Sequence, residues 1–128
     1  MKLLFDTHLL IWAARSPKRL PPEARKQMDD PDNELVFSAA NIWEVAIKGS
    51  LGRADFEFDP RVVRRNLLDN GYLELPIDSE HAAAVRDLPP IHRDPFDRVL
   101  VAQSIVEGIA LLTHDPIVAR YGGLVRAV

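Results

Sequence analysis

Five acidic residues stand where apolar runs give way to polar ones: Asp6, Glu44, Asp94, Asp97 and Asp115. They fall in four separated segments. One acid at a strand end is ordinary. Four such segments meeting at one edge of a sheet make a carboxylate pocket, and carboxylates held that close call for a cation between them. The chemistry at stake is divalent-metal binding; the competing explanation is a set of independent helix caps.

Whether they meet depends on the elements that carry them. Short apolar runs alternate with helical stretches along the whole chain, the pattern of an α/β fold with a parallel sheet. Strands are expected at Lys2–Asp6, Glu34–Phe37, Tyr72–Leu75, Ile109–Thr113 and Leu124–Val128. Helices are expected at Thr7–Ala14, Pro21–Asp29, Ala39–Gly49, Pro60–Asn70, Asp78–Asp87, Asp94–Glu107 and Asp115–Tyr121. Their boundaries follow from Pro at first helical positions, capping Ser and Asp, and Gly after the last turn. About five strands and six or seven helices describe a three-layer α/β/α sandwich in one domain, residues 1–128. Ligands bind beyond the carboxyl ends of such strands. Asp6, Ser38 and Thr113-His114-Asp115 fall there, with Glu44 and Asp97 in adjoining helices.

Taken singly, each acid has a second explanation. Asp6 is equally an N-cap for the helix that starts at Thr7. Glu44 shares a helix face with Asn41 and Lys48, opposite a face of Ile42, Val45, Ala46 and Gly49 expected to be buried. An exposed Glu44–Lys48 pair would then suffice, contributing about 0.2–0.5 kcal/mol. Asp94 is a complete N-cap with Pro95 behind it, and Asp97 faces the positive end of the same helix. That helix carries Phe96, Val99, Leu100, Val101, Ala102, Ile105 and Val106, apolar nearly all round, and is expected to be buried. Asp97 therefore points toward an interior edge and favours the ligand role, while Asp94 stands between cap and second ligand. Asp115 can cap the helix opened by Pro116. Parallel-sheet topology couples these readings, because it sends the segments to one edge. With no cysteine and no paired-histidine motif, the donor set selects Mg²⁺ or Mn²⁺ over Zn²⁺.

Composition bounds the rest. The chain has 128 residues, 47% hydrophobic and 27% charged, as an ordinary globular domain has. The absence of cysteine excludes disulfides and makes the cytoplasm the expected location. No apolar run reaches membrane-spanning length. The net charge of −3, from 16 basic and 19 acidic residues, argues against a nucleic-acid partner as it stands. Two bound dications would take it to +1, and 12 of the basic residues are Arg, well shaped for phosphate.

Four pieces, in this order, resemble the PIN domain, and specifically the VapC-like toxin ribonucleases of type II toxin–antitoxin pairs. They are Leu3-Leu4-Phe5-Asp6-Thr7-His8, Phe37 to Lys48 with Ser38 and Glu44 inside it, Asp94-Pro95-Phe96-Asp97-Arg98 running on to Gln103, and Leu111-Leu112-Thr113-His114-Asp115. The resemblance implies a catalytic and metal-ligand set of Asp6, Glu44, Asp97 and Asp115, with Asp94 an additional acid. It implies supporting hydroxyls at Thr7, Ser38 and Thr113. It further implies one or two Mg²⁺ or Mn²⁺ ions, an RNA substrate, a homodimer, and a cognate antitoxin whose C-terminal segment blocks the site.

On that footing the expected reaction is metal-dependent hydrolysis of an RNA phosphodiester, leaving a 5′-phosphate and a 3′-hydroxyl. Arg98 is the candidate for holding the substrate phosphate. For Arg93, Lys48 and His114, a salt bridge or solvated charge is the better expectation. Trp12 and Trp43 offer base stacking, with core or interface packing favoured. Two other classes compete. A receiver-like phosphoacceptor would want an acidic pair after the first strand and a lysine at a late strand end; a non-catalytic scaffold would keep the fold and bind a partner.

Overall fold

The computed structural model describes residues 1–128. Five parallel strands form one sheet: β1 (Lys2–Phe5), β2 (Glu34–Ser38), β3 (Leu73–Leu75), β4 (Ala110–Thr113) and β5 (Val125–Ala127), in the spatial order β3-β2-β1-β4-β5. Seven α-helices connect them: α1 (Thr7–Arg15), α2 (Pro22–Asp29), α3 (Ala39–Ser50), α4 (Pro60–Asp69), α5 (Ser79–Ala84), α6 (Pro95–Glu107) and α7 (Pro116–Ala119). The expected α/β/α sandwich is the observed one. The stretch after Asp78 is a six-residue helix followed by a 3₁₀ turn, Val85–Asp87, rather than one helix.

Strand alternation builds the two halves of the core. Leu3 and Phe5 of β1, Phe37 of β2 and Leu112 of β4 face one cluster with Leu9, Leu10 and Leu67. Leu4, Val36 and Leu111 face the other, with Leu100 and Val101 of α6 and Val118 of α7. Leu4 pairs with Val36 on one side and Leu111 on the other, so β1 is the centre of the sheet. Strands are added on one side of it as far as β3 and on the other side from β4 on, all parallel. The crevice between β1 and β4 is the topological switch point where such sheets bind ligands.

Two glycines are structural requirements. Gly108 ends α6 with φ 67°, a left-handed conformation that L side chains seldom adopt. Gly49 lies so close to the Ala54–Phe56 turn that a Cβ would sit 2.8 Å from the Phe56 carbonyl oxygen. This close approach lets Phe56 fill the space beside Val45 and Ile11. No helix is long and apolar enough to cross a membrane.

Helix α3 corrects an expectation. Its polar stripe is buried as well: Asn41 is 1% and Glu44 3% exposed, Val45 of the expected apolar face is 1% exposed, and Trp43 and Ile47 face solvent. The helix lies across the carboxyl end of the sheet and packs on α1, α4 and α6. Its inner face therefore meets strand ends and other helix termini, whose free polar groups need partners. Helix α6 is buried on most sides, but Ile105 is exposed.

Candidate metal centre

Four of the acids are placed by a strand or helix boundary, and Glu44 by the inner face of α3. Asp6 follows β1 and caps α1, its Oδ1 accepting from the Leu9 amide at 3.0 Å. Its Oδ2 accepts from the Thr113 hydroxyl at 2.6 Å and the His114 amide at 3.0 Å, both at the end of β4. Thr113 Oγ1 in turn accepts from the Asp115 amide. Asp115 caps α7 through Oδ1 and keeps Oδ2 for the cluster.

The opposite wall is built from α3 and α6. Thr7 donates to Glu44 Oε1 at 2.5 Å and accepts from Asn41 Nδ2. Asn41 also donates to the Phe5 carbonyl and accepts from the Ser38 amide, so one buried amide joins β1, β2 and α3. Lys48 bridges Glu44 Oε2 at 2.5 Å and Asp94 Oδ2 at 2.7 Å. Asp94 meanwhile caps α6, accepting from the Phe96 and Asp97 amides. Asp94 is thus a cap and an ion-pair partner at once.

His92 joins the two walls. The Asp94 amide can only donate, so His92 Nδ1 must accept from it, at 2.9 Å. The neutral ring then carries its hydrogen on Nε2, which stands 3.3 Å from Asp115 Oδ2 and 3.4 Å from Asp97 Oδ2. These three side chains form a group with ligand-type atoms all within 4.8 Å of one another.

The electrostatics are uneven. Burial pushes the Asp97 carboxyl up to about 8, aided by the negative charges of Asp94, Glu44 and Asp6. Burial likewise raises Asp6, against the opposing effect of its three hydrogen-bond donors. Asp94 is lowered: burial works to raise it, but the Lys48 ammonium outweighs that. Burial works to lower Lys48, yet its bonds to Asp94 and Glu44 hold it above the usual lysine range. One lysine therefore compensates Glu44 and Asp94, while Asp97 has no cation of its own. A carboxylate that resists ionisation among like charges is a fitting place for a hard dication, and the donor set around it is rich in oxygen.

The five acids thus belong to one connected hydrogen-bonded cluster. Thr7 and Thr113 each donate to one of them. Ser38 caps α3, with Asn41 completing a capping box, and its hydroxyl bonds to Gln103 rather than to an acid. The Glu44–Lys48 pair exists but is buried rather than exposed. Arg98 points elsewhere: its guanidinium contacts the carbonyls of Val85, Pro89 and His92 and the Tyr121 hydroxyl. Those contacts pin the loop that delivers His92, so the residue expected at the substrate phosphate is engaged in holding the site's frame. Arg93 is exposed, Trp43 lies edge-on to Phe96, and Trp12 packs against the core's rim. His92, Asn41 and Gln103 escaped sequence reasoning. The only signal for His92 was its place two residues before Asp94. Lysine at the site comes from α3, not from a late strand end as a receiver-like domain requires.

Residues 3–124 match the family model of the PIN domain. Curated protein sequences give no match. Among solved structures, VapBC2 from Rickettsia felis bound to a DNA fragment from its promoter is similar, with a TM-score of 0.73 at 11% identity, covering 100% of this chain and 99% of the other. DNA-bound VapBC from Salmonella typhimurium gives 0.70 at 16%, over 99% and 98%. A toxin–antitoxin complex from Klebsiella pneumoniae gives 0.64 at 18%, over 97% and 95%. At these identities the likeness is one of fold.

Proposed function

The chain belongs to the PIN domain family, and from that premise we propose that it is a metal-dependent endoribonuclease, the toxin of a type II toxin–antitoxin pair. The observation that carries this reading is geometric: Asp97, Asp115 and His92 meet at the sheet's switch point with ligand-type atoms within 4.8 Å of one another, and burial among like charges raises the Asp97 carboxyl. Such a cluster is arranged for a dication. The fold's likeness to proteins solved in VapBC and toxin–antitoxin complexes supports the toxin reading.

Asp6, Glu44, Asp97 and Asp115 would hold one or two Mg²⁺ or Mn²⁺ ions, with Asp94 beside them. When bound, the ion supplies Lewis acidity toward the phosphodiester and makes water acidic enough to serve near neutral pH. The chain's own residues prepare the place. Thr113 and the His114 amide orient Asp6, Thr7 orients Glu44, and His92 holds Asp97 beside Asp115. Lys48 offsets one of the two negative charges of Glu44 and Asp94, which lessens the repulsion any further anion meets. A carboxylate free of the ion takes the proton of the attacking water. The products are a 5′-phosphate and a 3′-hydroxyl.

Two surfaces fit the partners of this reading. An apolar groove of about 590 Å³ runs between α1, α2 and α4, lined by Leu10, Leu20, Met28, Phe58, Leu67 and Tyr72. It would seat apolar residues of the antitoxin; none of the five acids lines it. Trp43, Ile47 and Leu51, one turn apart along α3, are exposed and would face a second copy in a homodimer.

The test is cleavage of single-stranded RNA by the protein freed of any antitoxin, with Mg²⁺, Mn²⁺ or EDTA. Metal-dependent 5′-phosphate products, lost in Asp6→Asn and Asp97→Asn, are expected. Cleavage that persists in EDTA or in both variants would overturn the reading.

A further inference from the structure

Outside the acidic cluster, a band of rings runs along one flank of the site. His8 and Trp12 are one turn apart on α1, their centroids 5.8 Å from each other. Trp12 meets His114 edge-on at 5.5 Å, and His8 meets Phe56 edge-on at 5.1 Å. Cations stand at both ends: Arg19 over Trp12 at 5.0 Å and Arg53 over Phe56 at 5.3 Å. The imidazoles are held in place. His8 Nε2 lies 3.2 Å from Asp55, and His114 Nδ1 lies 2.7 Å from the Val128 carbonyl.

Core packing accounts for Phe56, which is 0% exposed, and for one side of Trp12, but not for the exposed parts of the band. His114 is exposed, the His8 side chain is 39% exposed, and Trp12 is only half-buried. Its position is tied to the chemistry. His8 follows Asp6 by two residues, and the His114 amide donates to the Asp6 carboxylate at 3.0 Å. Aromatic and imidazole rings interleaved with arginines are the chemistry that holds unpaired bases, because every base has a π-face and the arginines attract the backbone. A base inside a duplex has both faces covered by its neighbours and cannot use such a seat.

We propose that His8, Trp12 and His114, flanked by Arg19 and Arg53, form a stacking seat for unpaired bases next to the cleaved phosphodiester. The band thereby selects single-stranded over duplex RNA with little preference among bases. This inference rests on the nuclease reading above and deepens it.

Trp12 reports on the seat directly. The chain has two tryptophans, so a Trp43→Phe variant leaves Trp12 as its only indole. Titrate it with a six-nucleotide single-stranded RNA, the same backbone carrying abasic sites, and a hairpin duplex, using Ca²⁺ to slow cleavage. Saturable quenching by the first and none by the other two is expected. Trp12→Leu and His114→Ala should each raise KM for single-stranded RNA about tenfold. Trp12→Leu should leave kcat and Mn²⁺ affinity unchanged, with Trp12→Phe close to the parent. His114 is exposed, so its truncation keeps the test valid if Trp12→Leu folds poorly. If the parent cleaves RNA while quenching is absent or equal for the abasic backbone, and His114→Ala keeps its KM, the stacking seat is overturned and the nuclease reading stands. A parent that neither binds nor cleaves RNA overturns both.

Discussion

Thr113 Oγ1 donates to Asp6 Oδ2 at 2.6 Å, across 107 residues of sequence and from one strand end to the next. The same oxygen accepts from the Asp115 amide at 3.0 Å. One buried hydroxyl thereby sets the relative position of two acids. Thr113→Val keeps the shape and removes both bonds. A loss of about 1–3 kcal/mol in urea denaturation is expected, because a buried carboxylate and an amide lose a partner. RNA cleavage should fall much further than stability does. Unchanged cleavage would show that Asp6 does not need this orientation.

The Asp97 carboxyl, at about 8 in the metal-free fold against 3.8 unfolded, predicts a pH dependence with a definite sign. The raised value means that the ionised form is penalised by folding. Stability from this group is therefore full below about pH 4 and is lost as pH rises through 8. A dication that needs the carboxylate must displace its proton. Calorimetry of Mn²⁺ binding near pH 7, in buffers of different ionisation heat, should show roughly one proton released. Affinity should stop rising with pH above about 9. No proton release at pH 7 would contradict the assignment.

Asp97→Asn separates stability from function. The amide cannot ionise, so metal-free melting temperatures in EDTA should match the parent near pH 4, exceed it increasingly as pH rises, and keep a constant advantage above about pH 8. Metal-dependent cleavage should drop by at least about a hundredfold. Activity at the parent's level would remove Asp97 from the site.

Lys48 is predicted to hold the metal-free cluster together. Lys48→Met leaves Glu44, 4% exposed at its side chain, without its cation. Removing one partner of such a pair costs about 3 kcal/mol, and Asp94 loses its counter-charge as well. Denaturation in EDTA should show that loss, and Mg²⁺ should recover part of it by replacing the missing charge. A variant as stable as the parent in EDTA would mean that the bridge contributes nothing.

Arg98 should act through His92 rather than through the substrate. Arg98→Lys keeps the charge but loses the planar fork that reaches three carbonyls and Tyr121. The expected outcome is weaker Mn²⁺ binding and higher proteolytic sensitivity at residues 85–92. A change in RNA affinity alone, with metal binding intact, would return Arg98 to the phosphate-binding role that its sequence position suggested.

Four of the acids were legible in the sequence because each sits at or within a turn of a boundary written in local chemistry; Glu44 lies inside α3. Asp-Pro opens α6 and α7, an apolar run ends at Asp6, and Ser38 starts α3. What could not be read was which face of α3 turns inward. Asn41, Glu44 and Lys48 have the spacing of a solvated stripe, and periodicity assigns polar residues to water. They are buried because each finds a partner on a distant segment: Asn41 satisfies the Phe5 carbonyl and the Ser38 amide at two strand ends, Glu44 accepts from the Thr7 hydroxyl, and Lys48 reaches Asp94. Trp43 and Ile47 are left outside. His92 was hidden for a related cause. A histidine in a Pro-rich loop carries no periodic signal, and only the loop's path, pinned by Arg98 and Tyr121, brings its ring between Asp97 and Asp115.

By itself the sequence determined the α/β order, the ends of the strands and the acids placed there, since these follow from short-range preferences of proline, glycine, capping side chains and apolar runs. Local spacing offered Glu44 its counter-charge, Lys48 four residues on; the tertiary structure alone decided how that charge is shared among the other acids. Lys48 reaches Glu44 and Asp94 while Asp97 is left without a cation. That division depends on burial and on distances between segments far apart in the chain, and no local pattern encodes either.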